Sequence, residues 1–398
     1  MQRSNNYWKS LTLLFFLGWM LMYANRTVLT PLMSVLESNW HLSKAELGLL
    51  SSLFFLLYSA VQVPAGLLAD RIGRKQVLVP GFLIHAIGAL LSGISQSYPF
   101  LLGARMLTGF SQGTYFSTQY AISTESVPPN RRTVASAVTM SGSAIGIGLG
   151  TLAASLMVFR FGLSWRVPFI TFGVLTVVLT LVLARAIKSS PQVKTGATIP
   201  SARFRPNGTL IKLFLVGALT MYGFYVIITW LPYYLQMSRG IEGGFAGAVS
   251  TLMPLATVPG AILVGVLADR SGQRQQLMIR LVPVAAVALV LVVLSPSEIG
   301  LYLALLLYGF TGKLVIDPLL IALVSEQTEP SSYGQAFALL NFAGTISMVL
   351  APTITGVIVD LTGSFHSGFL LAAMLQASAW LILLSMRQRS TRPVQQPN

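Results

Sequence analysis

Apolar residues in this chain do not alternate with polar ones; they fall in runs of about 20, separated by short polar or charged turns. About 20 apolar residues is the length at which a helix crosses the hydrocarbon core of a bilayer. A membrane barrel would instead show short alternating segments. Twelve runs can be laid out, at 11–35, 45–69, 76–96, 98–122, 134–157 and 166–187, then at 210–236, 245–268, 277–296, 299–322, 334–358 and 365–386. The pattern predicts an all-α membrane protein of about twelve transmembrane helices.

The polar turns repeat. Gly66-Leu67-Leu68-Ala69-Asp70-Arg71-Ile72-Gly73-Arg74-Lys75 returns as Gly265-Val266-Leu267-Ala268-Asp269-Arg270-Ser271-Gly272-Gln273-Arg274, 199 positions later in a chain of 398. Glu125, Pro129 and Ala135 return as Glu326, Pro330 and Ala336, each 201 positions later. Repetition at half the chain length predicts two pseudo-symmetric six-helix bundles, 1–187 and 210–389, related by an axis along the membrane normal. The basic, proline-containing stretch 188–209 reads as the linker between them, and 390–398 as a polar tail.

Composition narrows the class. Charged residues make up 9% and apolar ones 54%, against roughly 25% charged in soluble domains. There are no cysteines and three histidines, so neither a disulfide framework nor a metal site is expected. The net charge of +15 reads as topogenic rather than as a nucleic-acid signal. With the N-terminus inside, the inner segments hold 19 Lys and Arg and the outer ones 4. That bias predicts a multi-pass inner-membrane protein with both termini cytoplasmic. No cleavable-signal pattern is seen, and the first run is long enough to be a span.

Two such bundles with G-x-x-x-D-R-x-G-R between their second and third spans resemble the major facilitator superfamily, over the whole chain. The resemblance implies a cytoplasmic gating role for Asp70, Arg71, Arg74, Asp269 and Arg270, with Asp70 capping a helix and pairing with arginines across the two bundles. Glu125 joins that gating set. Arg105-Met106-Leu107-Thr108-Gly109 resembles the R-x-x-x-G signature of the fourth span and adds Arg105 to it. The glycine-rich fifth span, Gly142 to Gly150, lacks the proline typical of the drug:proton antiporters. More narrowly, Tyr23-Ala24-Asn25-Arg26, Leu42-Ser43, Gly48, Ser52, Phe55, Tyr58, Gln62, Pro64 and Gly66 look like the anion:cation symporter branch. That branch carries organic acids with protons or sodium. Here Asn25 and Gln112 stand where it has acidic residues associated with proton coupling, while Arg26 is kept.

Three cations fall inside predicted spans: Arg26, Arg105 and Lys313. A charge at mid-membrane costs about 2.5–3.5 kcal/mol on insertion scales, so it needs a reason to be there. Arg26 offers a bidentate fork for a carboxylate; the alternative is a structural ion pair with an acid on another helix. Lys313 and Asp317 are four apart and share a helical face. They form either a self-neutralising pair or a second positive group beside a proton-carrying carboxylate. Polar stripes add Thr108, Gln112, Tyr115 and Gln119 on the fourth span, Tyr222, Tyr225 and Thr229 on the seventh, and Asn341 on the eleventh. The expected substrate-binding set is Arg26, Tyr23, Gln112, Tyr115, Tyr222, Tyr225, Lys313 and Asn341. No phosphate-binding loop or nucleophile–base constellation is present, so neither a cofactor nor an enzyme is expected. The reading is a monomeric secondary transporter in the lipid bilayer, carrying a small organic anion with a proton or sodium. The alternative is an exporter or facilitator of a neutral or cationic compound, with Arg26 and Asp317 as a structural charge pair.

Overall fold

A computed structural model describes residues 2–128, 131–188, 205–329 and 332–386. Most of the expected linker and the whole tail therefore lie outside the described residues. The described residues form fifteen α-helices. In the first half these are α1 (Gln2–Thr27), α2 (Leu29–Trp40), α3 (Lys44–Ile72), α4 (Arg74–Ile94), α5 (Tyr98–Ser126), α6 (Arg132–Ser155) and α7 (Arg166–Ala186), with one π-helical turn at Leu156–Arg160. The second half has α8 (Gly208–Met237), α9 (Gly243–Ser250), α10 (Leu252–Ser271), α11 (Arg274–Leu294), α12 (Glu298–Thr311), α13 (Lys313–Glu326), α14 (Tyr333–Thr362) and α15 (Phe365–Leu384).

Fifteen helices make twelve spans because three spans are interrupted: α1/α2 at Val28, α9/α10 at Thr251 and α12/α13 at Gly312. Among the described residues, eleven segments are long and apolar enough to cross a membrane. The twelfth expected span is α5, which at 29 residues has the length. It misses on composition, because it carries Arg105, Gln112, Gln119 and a ladder of hydroxyls. Those hydroxyls turn inward. Thr108, Ser111, Thr114 and Thr118 each donate to a carbonyl three or four residues back in α5 itself, which satisfies them without water.

The helices group into two compact units. The first comprises Met1–Ile199, Ile227–Pro254 and Val349–Phe365; the second comprises Pro200–Val226, Leu255–Met348 and His366–Asn398. In the first unit α1 packs along α6, and α5 along α3 and α4. The α1–α6 seam follows from sequence. Gly142, Gly146 and Gly150 recur every four residues and so share one helical face. A Cβ on any of them would fall within 3.1 Å of the backbone of Phe16, Met20 or Ala24. Small residues at that spacing let two helices approach backbone to backbone. The second unit has its own apolar core, built on Leu213, Val216, Met278, Val282, Ile316, Leu320 and Leu383.

Candidate functional site

The break in the first span has a local cause. Pro31 has no N–H to give the Thr27 carbonyl, and its ring crowds that oxygen. The Thr30 hydroxyl takes over, donating to Thr27 O at 3.0 Å. One turn earlier, Arg105 of α5 donates from Nη1 to Asn25 O at 3.1 Å and from Nη2 to Arg26 O at 3.2 Å. A buried guanidinium, 2% exposed, thus caps the carbonyls where α1 ends. Thr27 ties the same turn to α6 by donating to Ile147 O at 3.1 Å. The break is held from three sides, and Arg26 sits on it.

Arg26 is 5% exposed and lies among aromatic rings. Its guanidinium carbon is 4.2 Å from the ring centre of Tyr23, 5.1 Å from Phe55, 5.4 Å from Phe54 and 5.5 Å from Tyr58. Arg105 lies 4.8 Å from the same Phe54 ring. Two guanidinium groups therefore share one phenyl ring. The four acids among residues 1–188 lie near helix ends. Glu37 pairs with Lys44, Glu46 closes a capping box with Ser43, and Asp70 and Glu125 both meet Arg74.

The second charged position is in the other unit. Gly312 breaks the tenth span in an extended conformation, with ψ −167°, and Lys313 opens α13. Its ammonium pairs with Asp317 one turn on. The lysine side chain is 3% exposed and the carboxylate 31%, so the pair is asymmetric, with the acid at the more open end.

The remaining predicted residues separate into groups. Gln112 is fully buried, and neither atom of its amide has a partner among the described residues. Asn25 donates to Leu21 O and to the Thr176 hydroxyl. Tyr115 belongs to the bundle interior: it packs on Phe15, Trp19 and Phe82 and donates to Phe15 O at 3.2 Å. Tyr222 and Tyr225 are buried on α8, and Asn341 is exposed on α14. The repeated turns make matching local triads. Arg74 joins Asp70 (4.0 Å) and Glu125; Arg274 joins Asp269 (3.9 Å) and Glu326. Each triad lies within one half of the chain, and Arg71 and Arg270 are exposed beside them.

Sequence reasoning passed over the aromatic wall as a set. Phe54 and Tyr58 are one helical turn apart on α3, a spacing that signals one face. It also passed over Tyr308 and Gln376, each of which reads alone as an ordinary polar residue within a span.

Comparison with known proteins gives these features a context. The family model described as Major Facilitator Superfamily matches residues 15–352 and 213–398. Among curated relatives, a probable 4-methylmuconolactone transporter of Cupriavidus pinatubonensis is 26% identical over 66% of this chain and 63% of its own length. A probable sulfoacetate transporter of Cupriavidus necator is 28% identical over 63% of each chain. A 3-(3-hydroxy-phenyl)propionate transporter of Escherichia coli is 28% identical over 59% of this chain and 56% of its own. The chain thus spans about three-fifths of the length of these relatives. Among solved structures, a bacterial homolog of the human lysosomal transporter Spinster superposes with a TM-score of 0.78 at 18% identity over 95% of both chains. A D-xylose–proton symporter does so with a TM-score of 0.78 at 17% identity, over 95% of this chain and 98% of its own.

Proposed function

We propose, from the premise that this chain belongs to the Major Facilitator Superfamily of multi-pass membrane transporters, that it carries a small organic anion by alternating access, with Arg26 as the anchor. The observation that carries this reading is the buried pair of guanidinium groups on Phe54. Arg105 is spent on backbone carbonyls, whereas Arg26 presents its guanidinium among the rings of Tyr23, Phe54, Phe55 and Tyr58. A buried positive charge is costly unless something compensates it. Aromatic faces recover part of that cost. A carboxylate presented to the guanidinium edge would bind through two parallel charge-assisted hydrogen bonds. The names of the three relatives point to small organic acids as well. By the Lys/Arg bias, both termini and the Asp70 turn face the cytoplasm and the membrane is the inner one.

Asp317 is the proposed coupling carboxylate. Protonating it would cancel its pairing with Lys313 and release one buried positive charge, so proton binding and anion binding would favour each other. This makes symport the favoured mode. A second reading has its own support: Asn25 and the unpartnered amide of Gln112 cannot change charge. If Asp317 only neutralises Lys313, the protein is an uncoupled facilitator.

A thermal-stability screen tests the substrate class. Ligands that bind the folded state raise its apparent stability. Carboxylates should stabilise the wild type and fail to stabilise Arg26→Ala. Equal stabilisation of both by neutral or cationic compounds would sink the anion reading.

A further inference from the structure

The two halves of the chain carry polar residues at matching sequence positions. Tyr308-Gly309-Phe310 stands 200 positions after Thr108-Gly109-Phe110, and Gln376 stands 200 after Thr176. In the first half the protein satisfies both residues itself. Thr108 donates to Arg105 O at 2.7 Å. Thr176 donates to Phe172 O at 2.7 Å and accepts from the Asn25 amide at 3.0 Å. In the second half a tyrosine and a glutamine stand in place of the threonines. Their polar ends reach past the carbonyls of their own helices, α12 and α15, and both side chains are buried.

Two glycines make room for Tyr308. A Cβ on Gly312 would lie 3.2 Å from the tyrosine ring, which rests against the break between α12 and α13. A Cβ on Gly223 of α8 would lie 3.4 Å from the Tyr308 hydroxyl and 3.8 Å from Gln376 Oε1. The two oxygens therefore border one point in the core, beside the Leu289 side chain of α11. They do not bond each other. Neither the hydroxyl nor either atom of the amide has a partner among the described residues. All of these residues belong to the second compact unit.

Three polar atoms stranded at one buried point are costly unless something joins them. Their chemistry restricts what can. The hydroxyl donates one bond and accepts others, the amide oxygen accepts, and the amide nitrogen donates two. None of these groups is charged, so the set suits a small neutral molecule that donates and accepts at once. Water is the smallest such molecule, and a buried water typically makes about three bonds to groups of this kind.

We propose that Tyr308 and Gln376 hold ordered water, one or two molecules, in the core of the second unit. The Tyr308 hydroxyl donates to the water, and the water donates to Gln376 Oε1. It thereby ties α12 to α15 beside Gly223 of α8, next to the Gly312 break. The site takes no part in recognising the substrate and does not rest on the anion reading.

X-ray radiolysis turns bound water into hydroxyl radicals, which oxidise the side chain beside it. In the full-length protein in detergent, Tyr308 should be oxidised about threefold faster or more than Tyr115. Tyr115 is as deeply buried, but its hydroxyl is bonded to Phe15 O. Gly223→Ala, which puts a methyl group into the site, should bring the Tyr308 rate down toward that of Tyr115. Melting temperatures give a second readout. With water bridging the pair, Tyr308→Phe and Gln376→Leu each strand the other group and should lower the melting temperature by about 2–4 °C. The double variant removes both groups and should recover most of the loss. In a dry site each single variant would delete an unsatisfied group and melt higher than the wild type. The proposal is overturned if Tyr308 is oxidised no faster than Tyr115, or if the single variants melt at or above the wild type. The radiolysis comparison needs only the wild-type chain, so it stands where a variant does not fold. No substrate is needed, so a failed ligand screen and a failed water site are separate results.

Discussion

Arg26 and Lys313 are both cations buried inside predicted spans, and both stand beside a helix interruption, yet their surroundings differ. Lys313 carries its own neutraliser one turn along α13. Arg26 is set against four aromatic rings, with a second guanidinium sharing one of them. A charge with a built-in counter-ion is suited to exchanging a proton. A charge stabilised by ring faces is suited to receiving an anion. The proposed function gives coupling to one position and recognition to the other.

The comparison breaks most visibly at Arg26. Arg26→Gln keeps polarity and much of the volume but removes the charge, and should weaken carboxylate binding by about 2 kcal/mol, roughly thirtyfold in Kd by titration calorimetry. Arg26→Lys should recover only part of this, because an ammonium is not a bidentate fork. Unchanged affinity in Arg26→Gln would make the aromatic setting structural.

Arg105 sharpens the contrast next. Arg105→Met removes both donors from the carbonyls at the end of α1, and should cost about 2–3 kcal/mol of stability, seen as a lower melting temperature. Substrate should then restore less stability than in the wild type, because Arg26 has lost its support. A melting temperature equal to that of the wild type would show that the break needs no capping.

Asp317→Asn fixes the neutral form of the carboxyl. Binding and counterflow exchange should survive, whereas accumulation driven by a pH gradient should be lost. Full gradient-driven accumulation in this variant would make the pair structural and favour the facilitator reading. The smallest effect is expected at the ring wall. Phe55→Leu should weaken binding about two- to fivefold, the scale of one cation–π contact, and an effect as large as that of Arg26→Gln would overturn the order.

Much of the architecture was legible in the chain because membrane helices announce themselves by length and composition. The twelve runs each fall on helix, and the glycines of the fifth span lie where α6 meets α1. The fourth span shows the limit of that logic: hydropathy underrates α5, since its hydroxyls are satisfied by its own carbonyls. The Lys313–Asp317 pair was readable from spacing alone. The surroundings of Arg26 were not, because its ring wall comes from α1 and α3, which only folding brings together. The same holds for Tyr308 and Gln376, which lie on separate helices and border one point in the core only once the chain is folded. Helical period reports a face; it does not report what packs there. Tyr115 makes the point in the other direction: its polar stripe faces the bundle interior.

The most direct test of the central claim is uptake of a labelled organic acid, chosen from the stability screen, into proteoliposomes with an imposed pH gradient. The wild type, Arg26→Gln and Arg26→Lys should be run beside a neutral amide analogue of the same acid. The account predicts accumulation of the acid by the wild type, weak uptake by Arg26→Lys, none above background by Arg26→Gln, and no transport of the amide. Equal transport of acid and amide, or undiminished uptake by Arg26→Gln, would contradict it.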